Sequence, residues 1–204
     1  MRLPAGLVAV LLLVAPSRGA SQVSLPARWR LGALLESLHF SRGLVDGSVP
    51  FGDAAGLRPS GGLGVGVVLA RTSPLWRAEL MAGWAAARPQ ADNAGIAITD
   101  RTSRLTRWRL GAAAERRLCT VGAGTLGFAV GPALDWWRIA GEGRLRLGGQ
   151  AALALHLPMS GWELENRLGL GVSASPFVPE DAGAEFETHA LVSLLLGLGV
   201  RAPL

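Results

Sequence analysis

Residues 104–118 read RLTRWRLGAAAERRL, and the periodicity of this stretch decides the fold. As a helix, its five arginines and one glutamate would be spread around the whole circumference. As a strand, Thr106, Trp108, Leu110, Ala112 and Ala114 form one face, while Arg107, Arg109, Gly111, Ala113, Glu115 and Arg117 form the other. Only the strand reading confines the central charges to one side. Arg104 and Arg116 fall on the apolar face, both near the ends of the segment.

The same period of two recurs along the chain. Leu63, Val65, Val67 and Leu69 alternate with Gly62, Gly64, Gly66 and Val68. Trp162, Leu164, Asn166, Leu168, Leu170 and Val172 alternate with Glu163, Glu165, Arg167, Gly169, Gly171 and Ser173. Eight such segments are expected: 28–41, 62–72, 76–88, 104–118, 124–139, 144–157, 162–175 and 186–201. Each is long enough to cross a bilayer as a tilted strand, which takes roughly 9–11 residues. An even number of consecutive long strands predicts an all-β fold, an eight-stranded antiparallel up-and-down barrel without open edges. The connections alternate as well. Those at 42–61, 89–103 and 176–185 are long, whereas 73–75, 119–123, 140–143 and 158–161 are short.

Alternation alone does not say which face meets water, since a soluble lipocalin-like carrier would show the inverse assignment of the same pattern. Three features favour a transmembrane barrel. The non-apolar face is mostly Gly, Ala and Ser with scattered Arg and Glu, which suits a narrow lumen better than a wetted surface. Six of the seven tryptophans lie on the apolar face in two tiers, Trp29, Trp76 and Trp162 against Trp84, Trp108 and Trp136. The tiers stand roughly 20 Å apart along a tilted strand, as two aromatic girdles would. Finally, residues 1–20 read as a cleaved secretory signal peptide: Arg2, the apolar run AGLVAVLLLVA at 5–15, then Pro16 and small residues. Residues 21–204 would then form one outer-membrane barrel domain. All 20 cations are arginine, and removing Arg2 and Arg18 takes the formal charge from +5 to +3. So small and scattered an excess excludes a nucleic-acid partner. The single Cys119 excludes a disulfide framework.

In strand count, girdles and loop asymmetry the chain resembles the small eight-stranded outer-membrane barrels of the OmpA and OmpX type. It departs from them in its last strand, which closes LLLGLGVRAPL without the terminal aromatic residue common there. The resemblance implies a bacterial outer-membrane location, membrane lipids as surroundings, no cofactor and no enzymatic activity. Long loops on a rigid scaffold are the expected place for any extracellular contact.

The lumen face is expected to carry Arg30, Glu36, Arg77, Glu79, Arg107, Arg109, Glu115, Arg117, Asp135, Arg144, Arg146, Glu163, Glu165, Arg167 and Glu187, with Arg28 and Arg201 on the same face. Buried charges must pair, so these predict an Arg/Glu network that fills and closes the lumen. A small anion-preferring pore is the competing reading. The one catalytic candidate is His39-Phe40-Ser41, a His-x-Ser spacing similar to that of outer-membrane lipid A deacylases, with no acidic third member on the adjoining apolar faces. His156 and His189 have no partners at ligand-like spacing, so no metal is expected.

Overall fold

The computed structural model describes residues 29–48, 54–73, 75–93 and 96–204. The leader expected at 1–20 and Arg28 lie outside them. Eight long strands close into one barrel: β1 (Trp29–Phe40), β4 (Gly62–Thr72), β5 (Trp76–Ala87), β8 (Leu105–Val121), β9 (Gly124–Ile139), β10 (Glu142–Met159), β11 (Trp162–Ser173) and β13 (Leu191–Pro203). Each pairs antiparallel with its neighbours in sequence, and β1 closes the ring against β13 from Arg30–Pro203 to Phe40–Ser193. Closure leaves no barrel strand with unpaired backbone groups along an edge, as a sheet in hydrocarbon requires. No helix among the described residues is long and apolar enough to cross a membrane.

The tight connections follow from local chemistry. Between β9 and β10, Ala140 and Gly141 both have positive φ, 48° and 94°. That is the primed turn whose twist matches two antiparallel strands.

The two faces of the wall have opposite chemistry. Leu63, Val65 and Val67 on β4 are 65%, 54% and 55% exposed, and Leu80, Leu110, Leu147 and Leu170 likewise point outward. Inside, Glu79, Asp135, Glu165 and Arg201 are almost completely buried. This is the reverse of a soluble lipocalin-like carrier. A continuous apolar exterior around a charged interior is stable only where the surrounding solvent is itself apolar.

The long loops fold too, which alternation did not disclose. Five short strands, β2 (Leu44–Asp46), β3 (Gly56–Pro59), β6 (Pro89–Asn93), β7 (Ile96–Thr99) and β12 (Phe186–Thr188), pair in the order β12-β2-β3-β6-β7 above one mouth of the barrel. Strand β12 corrects the expected eighth segment. Residues 186–188 belong to this cap, and the barrel strand starts only at Leu191. A period of two is the same in either sheet, so it could not separate them.

Candidate functional site: a charged lumen beneath a folded cap

Inward-facing positions of seven strands bring the charged side chains together in three groups. Nearest the short turns, Arg30 of β1 and Arg77 of β5 converge on Glu163 of β11, Arg77 Nη2 donating at 3.0 Å. The His156 ring of β10 is wedged between Glu115 and Glu163, at 3.0 and 3.1 Å, and Arg77 Nη1 lies 2.6 Å from its Nδ1. Gly127 faces Glu115 across the strands, and a Cβ there would run into that carboxylate, so the glycine makes room for it.

The second group is a ring of four alternating charges. Arg167 of β11 donates from Nε to Glu165 at 2.7 Å and from Nη2 to Glu79 of β5 at 2.5 Å. Arg201 of β13 returns from Nε to Glu165 at 2.8 Å and lies 2.6 Å from Glu79. In the third group, Arg107 and Arg109 of β8 each chelate Asp135 of β9 through two nitrogens, at 2.9 and 2.9 Å and at 2.8 and 3.1 Å. Paired N–H donors aimed at one carboxylate make the strongest form of this contact. Glu36 of β1, Arg109, Arg167 and Gln150 line a cavity of about 40 Å³, room for roughly three waters.

Above the charges sits an apolar plug that the sequence reading missed. Trp137, Phe40, Leu38, Leu105, Ile139, Leu191 and the loop residues Leu44 and Phe177 pack together beneath the cap. Trp137 is 1% exposed, meets Phe40 edge-on at 5.7 Å, and carries the Arg107 guanidinium 5.5 Å from its ring centre. The signal was present in the dipeptide Trp136-Trp137, because neighbouring residues on a strand must face opposite sides.

Asp92 then staples the cap. It accepts from Arg42 Nε at 3.0 Å and lies 3.3 Å from Arg58 Nε, joining the first long loop to the second. The third long loop carries a 3₁₀ turn at Pro179–Asp181, and Asp181 receives Arg144 from the mouth of β10. That hydrogen bond holds the Asp181 carboxyl below the ordinary aspartate range.

Several expected lumen residues lie elsewhere. Arg144 and Arg146 are at the long-loop mouth, bound to Glu142, Asp181 and the carbonyls of Pro176 and Ser175. Arg117 is exposed at the opposite end. There the β8–β9 hairpin outruns β5, whose pairing stops at Trp76–Arg116, and the register shifts between Arg117 and Cys119. Glu187 is exposed on cap strand β12, opposite Val45. His156, which spacing had set aside, is instead a member of the first charged group.

No hydrogen bond joins His39 to Ser41. The Ser41 hydroxyl instead accepts from the Val192 amide at 2.8 Å, so it acts as part of the β1–β13 seam. Among the described residues no cluster of three His, Cys, Asp or Glu could hold a metal ion.

On the exterior, Trp84, Trp108 and Trp136 are direct cross-strand partners on β5, β8 and β9, one row at a single height. Trp29, Trp76 and Trp162 occupy the short-turn ends of their strands. Two arginines lie over that lower tier, Arg71 at 5.7 Å from the Trp29 ring centre and Arg116 at 5.9 Å from Trp76.

No protein-family model matches the chain, and a search of the curated proteins finds no match. Solved structures do match it. Neisserial surface protein A is 11% identical with a TM-score of 0.57, the match covering 87% of this chain and 98% of that one. The outer membrane protein OprG of Pseudomonas aeruginosa is 8% identical with a TM-score of 0.52, covering 87% and 97%. This chain has the fold of these small outer-membrane β-barrels.

Proposed function

We propose that this chain is a non-enzymatic protein of a bacterial outer membrane, with the short turns in the periplasm and the cap outside. It serves as a closed, rigid scaffold that holds the folded loops at the cell surface, where they make surface contacts and add to envelope integrity. The observation that carries this reading is the filled lumen. Arg30, Arg77, Arg107, Arg109, Arg167 and Arg201 face Glu36, Glu79, Glu115, Asp135, Glu163 and Glu165, an even match of charge, all but Glu36 held in three braced groups topped by an apolar plug. Such an interior leaves no excess of arginine to draw anions through, which weighs against a pore. The two tryptophan tiers act as the interfacial girdles of the embedded band.

Purified protein in a planar lipid bilayer tests the closed lumen. Flat current traces at either polarity are expected, and stepwise anion-selective openings from unmodified protein would overturn it. Membrane fractionation of cells tests the location, since protein recovered in the detergent-free aqueous fraction contradicts an outer-membrane barrel.

A further inference from the structure

Above the row Trp84, Trp108 and Trp136, the outward face changes from apolar to cationic. Two residues further along β9, Arg138 is exposed and pairs across to Thr106 of β8. Four residues above Trp84 and Trp108 stand Arg88 and Arg104, one step past the last β5–β8 pair, Ala87–Leu105. With the usual strand rise and tilt, these positions lie about 5 and about 10 Å beyond the tryptophans. Arg88 and Arg104 border a cleft of about 590 Å³ with Arg101, Ser60, Thr102 and Ser103.

Like charges set side by side across two strands repel one another. Yet Arg88, Arg101, Arg104 and Arg138 have no ion pair among the described residues. Asp100, next to Arg101 in sequence, is engaged within its own loop, where it accepts from the Thr102 amide and hydroxyl at 2.8 and 2.6 Å. The other rim is different, because Arg71 and Arg116 are laid over Trp29 and Trp76. Three unpaired guanidiniums around this cleft, with Arg138 above Trp136 on β9 and the hydroxyls of Ser60 and Ser103, offer donors suited to a dianionic oxygen group at headgroup depth.

We propose that this rim binds phosphate monoester groups on lipid headgroups of the leaflet at the long-loop end. The inference rests on the membrane reading above. Arginine does not titrate near neutrality, so binding should follow the charge of the phosphate, whose second ionisation lies near pH 6.

The test uses the full barrel in phosphatidylcholine nanodiscs containing a minor fraction of phosphatidic acid, with retained lipid counted by native mass spectrometry. Wild-type protein should keep phosphatidic acid in preference to phosphatidylcholine. The triple variant Arg88→Gln, Arg104→Gln, Arg138→Gln should lose that preference by at least about tenfold, and the three matching Lys substitutions should restore most of it. The pair Arg71→Gln, Arg116→Gln should have the smaller effect. Equal retention by wild type and the triple Gln variant, or an equal loss from either rim, overturns the proposal. Protein that does not enter the bilayer at all overturns the membrane reading and this proposal with it.

Discussion

Arg167 of β11 donates from Nη2 to Glu79 of β5 across the barrel, at 2.5 Å, between directly opposite walls with three strands between them on either side. A backbone ladder ties each strand only to its two neighbours, so contacts of this kind are what brace opposite walls. Both residues are nearly fully buried, and each also holds a second partner, Glu165 for Arg167 and Arg201 for Glu79.

Breaking the ring on one side leaves a charge without its partner. Glu79→Ala is therefore expected to destabilise the barrel by about 3–5 kcal/mol, while the double change Glu79→Leu, Arg167→Met costs clearly less than the sum of the two single changes. Urea titration in lipid vesicles, followed by the gel shift between folded and unfolded barrel, measures both. Additive losses would remove the brace from the account.

The outward face predicts a depth profile. Leu80 pairs with Leu69 and Ala112 in the middle of the wall and is 59% exposed. Leu80→Arg should cost about 2–4 kcal/mol in vesicles, whereas Arg116→Ala, level with Trp76, should stay within about 1 kcal/mol. Equal penalties at the two sites would mean that the apolar band is not the part in lipid.

Asp181 offers a pH test on the cap. Because Arg144 depresses the folded carboxyl below its unfolded value of roughly 3.9, the contact stabilises the loop above that value. The contribution is lost as pH falls through the lower folded value. Tracking the Arg144 side-chain resonance from pH 6 downward should give a midpoint below the ordinary aspartate value of roughly 3.9. Asp181→Asn should flatten the curve, and an unshifted midpoint in wild type contradicts the contact.

Ser41 predicts a negative result. Its hydroxyl is engaged by the Val192 amide and has no bond to His39. Lipid A and phospholipid incubated with wild type and with Ser41→Ala should both remain intact. Hydrolysis by wild type that disappears in Ser41→Ala would falsify the non-enzymatic reading.

The plug can be probed by volume. Trp137 is the largest fully buried side chain, and Trp137→Ala empties the centre of the apolar cluster that joins barrel to cap. A loss of about 3–5 kcal/mol is expected, together with faster amide exchange in Phe177 and Leu191. Unchanged exchange there would detach the cap from the barrel core.

Alternation along the chain was enough to establish the barrel, and with the tryptophan tiers and the small-residue inner face it assigned the two faces. RLTRWRLGAAAERRL became Arg104 and the first fourteen residues of β8, with Arg107 and Glu115 buried, Arg109 half-buried and Trp108 outside. Two strands, 62–72 and 124–139, have the limits that their patterns predicted. Arg116 is outward at the level of Trp76, at the short-turn end, where its guanidinium can lie along the ring. These features are local: a side chain's face depends only on the parity of its position, and parity is written in the sequence.

Partnership is not local, and there the tertiary structure decided. Parity placed Arg117 and Glu187 on the lumen side, but the overhanging hairpin and the cap sheet put both in the open. The folding of three long loops into one sheet likewise depends on backbone pairing between segments far apart in the chain, as does the placing of Phe177 and Leu44 over Trp137. Arg167 reaches Glu79 rather than a nearer strand because closing eight strands sets the lumen's width and stagger. The sequence determined which face of its strand each residue takes; only the closed barrel, by setting where each strand ends and bringing opposite walls within side-chain reach, determined which of them lie in the lumen and which meet.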